Sequence, residues 1–379
     1  MTGLLLARAG VPVKILEKHG DFFRDFRGDT VHPSTMEILD QLGLLDRFLQ
    51  RPHERLNRAT VRIANREWTI GDLSYLRTPA PFIAMMPQWE FLDFLRDEAA
   101  AFPGFELEMN AEIASFLDRD GRIAGVRLTD GRELSADLVI AADGRASLAR
   151  QLLAVETLGA PMDVFWFRID KPNESGEALR ASIAAGRMVV LIDRRNYWQV
   201  AYLVPKGGAN AVKARGIDWI SDQIAAAFPD LALGRLASLD DLHLLTVALD
   251  RLTSWHRPGL LAIGDAAHAM SPIGGIGINL AIQDAVASAN ILAESLAKGK
   301  AVDHLLAKVQ AKRLLPTRLV QRGQKLAQDA IIGRVLGGAP ITDAPWPIKL
   351  LDRFPVLRRI PGGLIGLGVG RERVRSPKA

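Results

Sequence analysis

Cysteine is absent from the 379 residues, which excludes disulfides, thiolate metal sites and a cysteine nucleophile. The absence agrees with a reducing compartment, and a cytoplasmic protein without a metal is expected. Tyrosine occurs at three positions only, Tyr75, Tyr197 and Tyr202. No apolar run is long enough to span a bilayer, so no integral membrane segment is expected. The opening "GLLLARAG" is too short for a signal-peptide core and breaks at Gly10. No Lys/Arg block with interleaved aromatics occurs; 48 Lys and Arg stand against 43 Asp and Glu, a formal net charge of +5. That excess suits a phosphorylated or carboxylated ligand and points away from nucleic acid. No repeat or low-complexity tract is present.

What remains is an ordinary globular composition, 48% hydrophobic and 24% charged, in a chain long enough for two packed domains. Residues 3–9 read as a helix closed by Gly10, and Val11, Val13 and Ile15 alternate as a strand ending at Glu17. This is the second half of a βαβ unit. A first strand and its Gly-rich turn, roughly 15–25 residues, are expected upstream of Met1. "STMEILDQLGLLDRFL" (34–49) predicts a helix with a Ser34/Glu37 capping box, and 87–102 predicts a second that starts at a proline. An antiparallel meander is expected after 105, leading into the buried strand "ADLVIAADG". Residues 160–205 are rich in aromatic and β-branched residues, suited to a separate sheet. Trp166 and Trp198 are expected to line an apolar pocket there, while Tyr197 and Tyr202 read as core or wall residues. The segment 346–369 could be a membrane-surface helix, but its prolines and glycines favour a packed tail.

Three runs carry chemistry. Glu17, followed by Lys18, ends a strand where a carboxylate can accept both hydroxyls of a ribose, although any surface strand can end this way. "AADGRASLAR" (141–150) ends a strand at Asp143 and Gly144, with Ser147 and Arg150 on the helix that follows. Such a turn aims N–H groups at an anion, with Arg145 and Arg150 adding charge, or is simply a capped turn. "GLLAIGDAAHAMSPIGGIGINLAIQDAV" delivers Asp265 from a strand end, stops at Pro272, and frees the backbone at Gly274, Gly275 and Gly277 before a long helix containing Ile278 and Asn279. His268, beside it, reads as a structural histidine.

In order and spacing these runs resemble the class A flavoprotein monooxygenases, the para-hydroxybenzoate hydroxylase-like group, from Met1 to about residue 310. The resemblance implies an α/β fold: a Rossmann-like FAD-binding domain with a parallel sheet and an antiparallel meander, a second antiparallel-sheet substrate domain, and a helical C-terminal segment. The implied division is 1–55, 84–158 and 256–310 for FAD, 56–83 and 159–255 for substrate, and 311–379 for the C-terminal segment. It also implies FAD bound by Glu17 and Lys18 on the ribose side, by Arg27 of "FRGDTVHPST" near flavin and pyrophosphate, and by Gln88 of "MPQWEF". Asp143, Gly144 and Arg150 would serve FAD and NADPH or NADH. Asp265 would hold the ribityl side, Pro272, Gly274 and Gly275 would belong to the cofactor site, and the Gly277–Asn279 backbone, Ile278 included, would face the flavin pyrimidine.

The implied activity is hydroxylation of an aromatic or polycyclic organic substrate through a flavin C4a-hydroperoxide, with molecular oxygen and NAD(P)H as co-substrates. No catalytic acid–base pair is visible. Alternatives are a non-oxygenating FAD reductase or dehydrogenase acting on an isoprenoid or quinone, or a truncated non-catalytic binding protein. The W-x-W-x-I-P run of flavin halogenases is missing.

Overall fold

The computed structural model describes residues 1–23, 30–64, 66–172, 179–194, 196–329, 333–338, 341 and 343–379. The helix Thr2–Arg8 buries Leu4, Leu5 and Leu6. Gly10, at φ +78°, turns the chain into the strand Val13–Glu17. That strand pairs in parallel with Phe105–Met109. The meander expected from 105 therefore begins later, in the antiparallel strands Ile113–Arg119, Arg122–Leu128 and Glu133–Ser135. The physical reason lies in the connection: a long crossover containing the helix Gln88–Ala99 returns the chain in the same direction.

A second parallel pair joins Val139–Ala141 to Leu260–Ala262, with His256–Arg257 antiparallel beside it. Among the described residues no ladder connects the two pairs. Side chains do so instead: Leu4, Leu5 and Leu6 share one core with Ile282, Val286, Ala289 and Ala293 of the helix Gly277–Ala297, and Val13 and Ile140 lie at its margin.

The largest sheet has seven strands, ordered His243–Leu245, Met162–Asp170, Tyr197–Pro205, Arg187–Asp193, Leu179–Ala184, Arg58–Ile63, Arg66–Asp72. Alternation divides its faces. Phe165, Phe167, Val189, Leu191, Trp198, Val200 and Tyr202 meet Ile220 and Ile224 of the helix Ile217–Ala227. Met162, Val164, Trp166, Val190, Ala201 and Leu203 point to the other side. Trp198 thus belongs to the core behind the sheet, whereas Trp166 lines the pocket.

Three further expectations are corrected. Residues 34–49 form two helices, Pro33–Gln41 and Leu45–Leu49, parted at Gly43 with φ +72°. His32 is the N-cap and Ser34 is buried within the first turn, because Pro33 already occupies the first helical position. The helix Asp303–Ala327 runs unbroken across residue 310, so the boundary expected there falls inside an element. The tail after Leu367 also crosses back over the first domain. Arg371 pairs with Glu37 at 2.8 Å, the Glu372 N–H donates to Gln283, and the Ala379 N–H donates to the Arg8 carbonyl at 3.0 Å.

Candidate active site

One continuous cavity of about 3040 Å³ runs between the parallel pairs and the seven-stranded sheet. It reaches from the flanks of the two parallel pairs, at Val13, Ile15 and Ile140, to the face of the sheet at Met162 and Val164. Glu17, Lys18, Gln88, Asp143, Gly144, Asp265, Pro272, Gly274, Gly275, Gly277 and Ile278 all line it. Arg27 lies outside the described residues.

The strand Leu260–Ala262 delivers Asp265 in the 3-10 turn Gly264–Ala266. One oxygen of Asp265 accepts from Arg145 Nε at 3.1 Å, and Arg145 Nη2 donates to the Met270 carbonyl at 2.8 Å. Arg145 therefore braces the carboxylate and the loop after it. Arg145 Nη1 is buried with no partner among the described residues. The chain then turns at Gly274 and Gly275, with φ of +78° and +62°, and enters the helix Gly277–Ala297. Among the described residues no side chain caps that helix. The N–H groups of its first turn carry the positive end of a 21-residue helix, and Gly277 and Ile278 put that end on the cavity wall.

Asn279 does not line the cavity. It is buried, and its Oδ1 accepts from the His32 N–H at 3.0 Å and from Thr35 Oγ1 at 2.7 Å, while Nδ2 donates to the Thr30 and Gly275 carbonyls. Its side chain fixes the glycine turn to the strand Thr30–Val31 and the helix Pro33–Gln41. Arg150 is also elsewhere: Nη2 donates to the Asp250 carboxylate at 2.6 Å and Nε to the Ala266 carbonyl at 3.0 Å. Its mostly buried guanidinium is paired with that carboxylate, and Arg150 is not among the described residues that line the cavity. The run after Asp143 is a single 3-10 turn and the one-turn helix Ala149–Leu152. Asp143 Oδ2 accepts from the Leu148 N–H at 3.3 Å, which closes the loop between the two turns.

A buried ionic network beneath the turn was not anticipated. Asp284 accepts from the Gly264 N–H at 3.1 Å, from Arg313 Nε at 2.9 Å, and meets His268 Nε2 at 2.6 Å. Burial alone would push the Asp284 carboxyl up, but His268 and Arg313 outweigh it and hold it below the usual range. Arg313 Nη1 also donates to the Gly370 carbonyl at 2.8 Å, which ties the C-terminal tail to the network. A lone Asp in an apolar helix is a buried-polar signal, and "INLAIQDAVASAN" carries it. Its partner Arg313, on the next helix, has no local signal.

These residues fit a flavin dinucleotide. Strand-end carboxylates at Glu17 and Asp265 suit its hydroxyls, Gly144 at φ +80° has open space where a Cβ would stand, and the uncapped helix end suits the electron-rich edge of the ring. Opposite them, Met162, Val164, Trp166, Val190, Ala201 and Leu203 present a wall without an ionisable group.

Comparison with known proteins agrees with this geometry. Residues 1–323 match the FAD binding domain family. The chain is 32% identical to 6-methylpretetramide 4-monooxygenase of Streptomyces rimosus, covering 95% of this chain and 88% of that protein. It is 26% identical to pentachlorophenol 4-monooxygenase of Sphingobium chlorophenolicum, covering 90% and 65%. Other relatives are longer; the chain spans 60% of rifampicin monooxygenase of Streptomyces venezuelae, at 29% identity over 75% of its own length. Among solved structures, p-nitrophenol 4-monooxygenase PnpA of Pseudomonas putida shares the fold at a TM-score of 0.70, with 19% identity over 97% of this chain and 92% of that one. The chain belongs to the FAD binding domain family and is a class A FAD-dependent monooxygenase.

Proposed function

We propose that this oxidoreductase hydroxylates an uncharged aromatic or polycyclic compound, with NADH or NADPH as reductant. The observation that carries the reading is the neutral wall of the seven-stranded sheet facing the Gly274–Ile278 turn across one cavity. Among the described residues the sheet side of the cavity offers a charged substrate no partner to replace its hydration. Relatives named as monooxygenases of 6-methylpretetramide and pentachlorophenol support an aromatic or polycyclic substrate.

The assigned roles are positional. Glu17 and Asp265 accept hydrogen bonds from cofactor hydroxyls, with Arg145 holding Asp265 in place. Lys18 offers a charge beside Glu17, and Gln88 and Asp143 contribute polar walls. The first-turn N–H groups of Gly277 and Ile278 stabilise negative charge on the ring edge. Val190, Ala201 and Leu203 exclude water from the reacting carbon. When bound, flavin supplies reduction by nicotinamide and activation of oxygen.

The test combines FAD-loaded protein with NADH or NADPH and a panel of neutral polycyclic phenols under labelled oxygen. The expected outcome is substrate-stimulated nicotinamide oxidation with one labelled oxygen atom in the product. Reduction of a quinone without oxygen incorporation would instead identify a reductase.

A further inference from the structure

The helices Trp346–Arg353 and Arg359–Leu367, joined by the turn Pro355–Arg358, rest on the strand Arg66–Asp72. Ile348 and Ile365 point inward, and Gly362 sits so close to the Asp72 carbonyl that no Cβ would fit. On the outer side Trp346, Leu350, Phe354, Val356, Ile360 and Leu364 are exposed, Trp346 to 75% and Ile360 to 65%. The tail beyond them is anchored through Arg371, Glu372 and Ala379. This apolar face is therefore held on the body of the protein at its far end and is not a frayed terminus.

Its charge is one-sided. Lys349, Arg353, Arg358 and Arg359 lie within its residues 346–367, against Asp352 and, just before them, Asp343. Asp352 already accepts from Arg66 at 2.7 Å and from Arg358 at 3.2 Å. Lys349 pairs with Asp343, while Arg353 and Arg359 are exposed and have no carboxylate partner among the described residues. A second copy docking here across a two-fold axis would set these arginines against their own counterparts. A surface that is apolar beneath and anionic above satisfies both the side chains and the cations.

We propose that this face docks on an anionic lipid surface. The six apolar side chains enter the boundary between headgroups and acyl chains, and Arg353 and Arg359 meet lipid phosphates. Trp346 and Leu364 also line the cavity, so docking brings an opening of the cavity to the lipid. Lipid binding stands without the proposed function; entry of an apolar substrate by this route rests on it.

The test is cosedimentation of the folded, FAD-loaded full chain with phosphatidylcholine vesicles, with and without phosphatidylglycerol. Binding is expected only with phosphatidylglycerol and should weaken with added salt. Replacing Arg353→Gln or Arg359→Gln should lower the partition coefficient about fivefold each, and Phe354→Ser with Ile360→Ser should abolish binding while flavin content stays unchanged. The proposal is overturned by absence of binding to anionic vesicles, or by binding that neither pair of substitutions alters. It is equally overturned by a dimer, seen in sedimentation equilibrium, that Phe354→Ser and Ile360→Ser dissolve in a protein that ignores vesicles.

Discussion

Asp265 and Arg150 stand 115 residues apart in sequence yet share one loop, through the bond from Arg150 Nη2 to the Asp265 carbonyl, and they separate cofactor binding from stability. Asp265→Ala removes a cavity carboxylate and strands Arg145. Flavin affinity should fall about tenfold to a hundredfold, the equivalent of ~1.5–3 kcal/mol, as read by fluorescence titration with FAD. Arg150→Ala leaves Asp250 with its largest partner gone in a mostly buried site. The expected cost is about 3–5 kcal/mol of stability, seen as a lower melting temperature, with the Michaelis constant for nicotinamide unchanged. A change in that constant at full stability would return Arg150 to the dinucleotide. His32 makes a third case. Its ring is buried, and because a carbonyl can only accept, Nδ1–H donates to Ile365 at 2.7 Å. Burial brings its pKa from 6.5 down to about 4, against a weaker upward pull from that bond. The unfolded chain takes up this proton near pH 6.5 and the native one does not, so stability is complete above that pH and lost as pH falls toward 4. At pH 4 the loss is about 3 kcal/mol. His32→Gln should flatten the acid limb of a urea-denaturation series between those pH values.

At the scale of elements, the glycine turn before the long helix rests on both backbone and contact. Gly275 has φ +62°, and a Cβ there would collide with Thr30 Oγ1, which itself donates to the Gly275 carbonyl at 3.0 Å. Gly43 has a similar φ of +72° with open space around it. Gly43→Ala should therefore cost only backbone strain, about 1–2 kcal/mol. Gly275→Ala should cost more and weaken FAD as well, and melting curves with flavin titration for the pair would divide strain from contact. The turn was legible in the sequence because its determinants are local: Asp265, Pro272 and the glycines follow one another within one run. The same holds for Gly10 and the strand after it. What was not legible depends on distant partners. Arg150 finds Asp250 a hundred residues on, and Arg313 finds Asp284 across a helix–helix contact. Alternation showed that residues 197–205 form a strand but not which face meets the cavity, so Trp198 was assigned to the wrong side. Ser34 failed as a cap because Pro33, one residue earlier, is better suited to start that helix.

On the scale of the whole molecule, the two parallel pairs beside the cavity are joined through apolar side chains of the helices Thr2–Arg8 and Gly277–Ala297 and, among the described residues, by no hydrogen-bonded ladder. Hydrogen bonds are directional and resist sliding, whereas contacts between Leu5, Ile282 and Val286 tolerate small displacements. The seam between the two pairs is thus held, among the described residues, by side-chain packing. Deuterium exchange should follow the ladders: amides of Glu133–Ser135, paired on one side only, should exchange faster than those of Tyr197–Pro205, which lies inside a ladder on both sides. A ligand that spans the seam, touching Glu17 on one side and Asp265 on the other, would act as a mechanical brace, and exchange at both pairs should slow together when it binds.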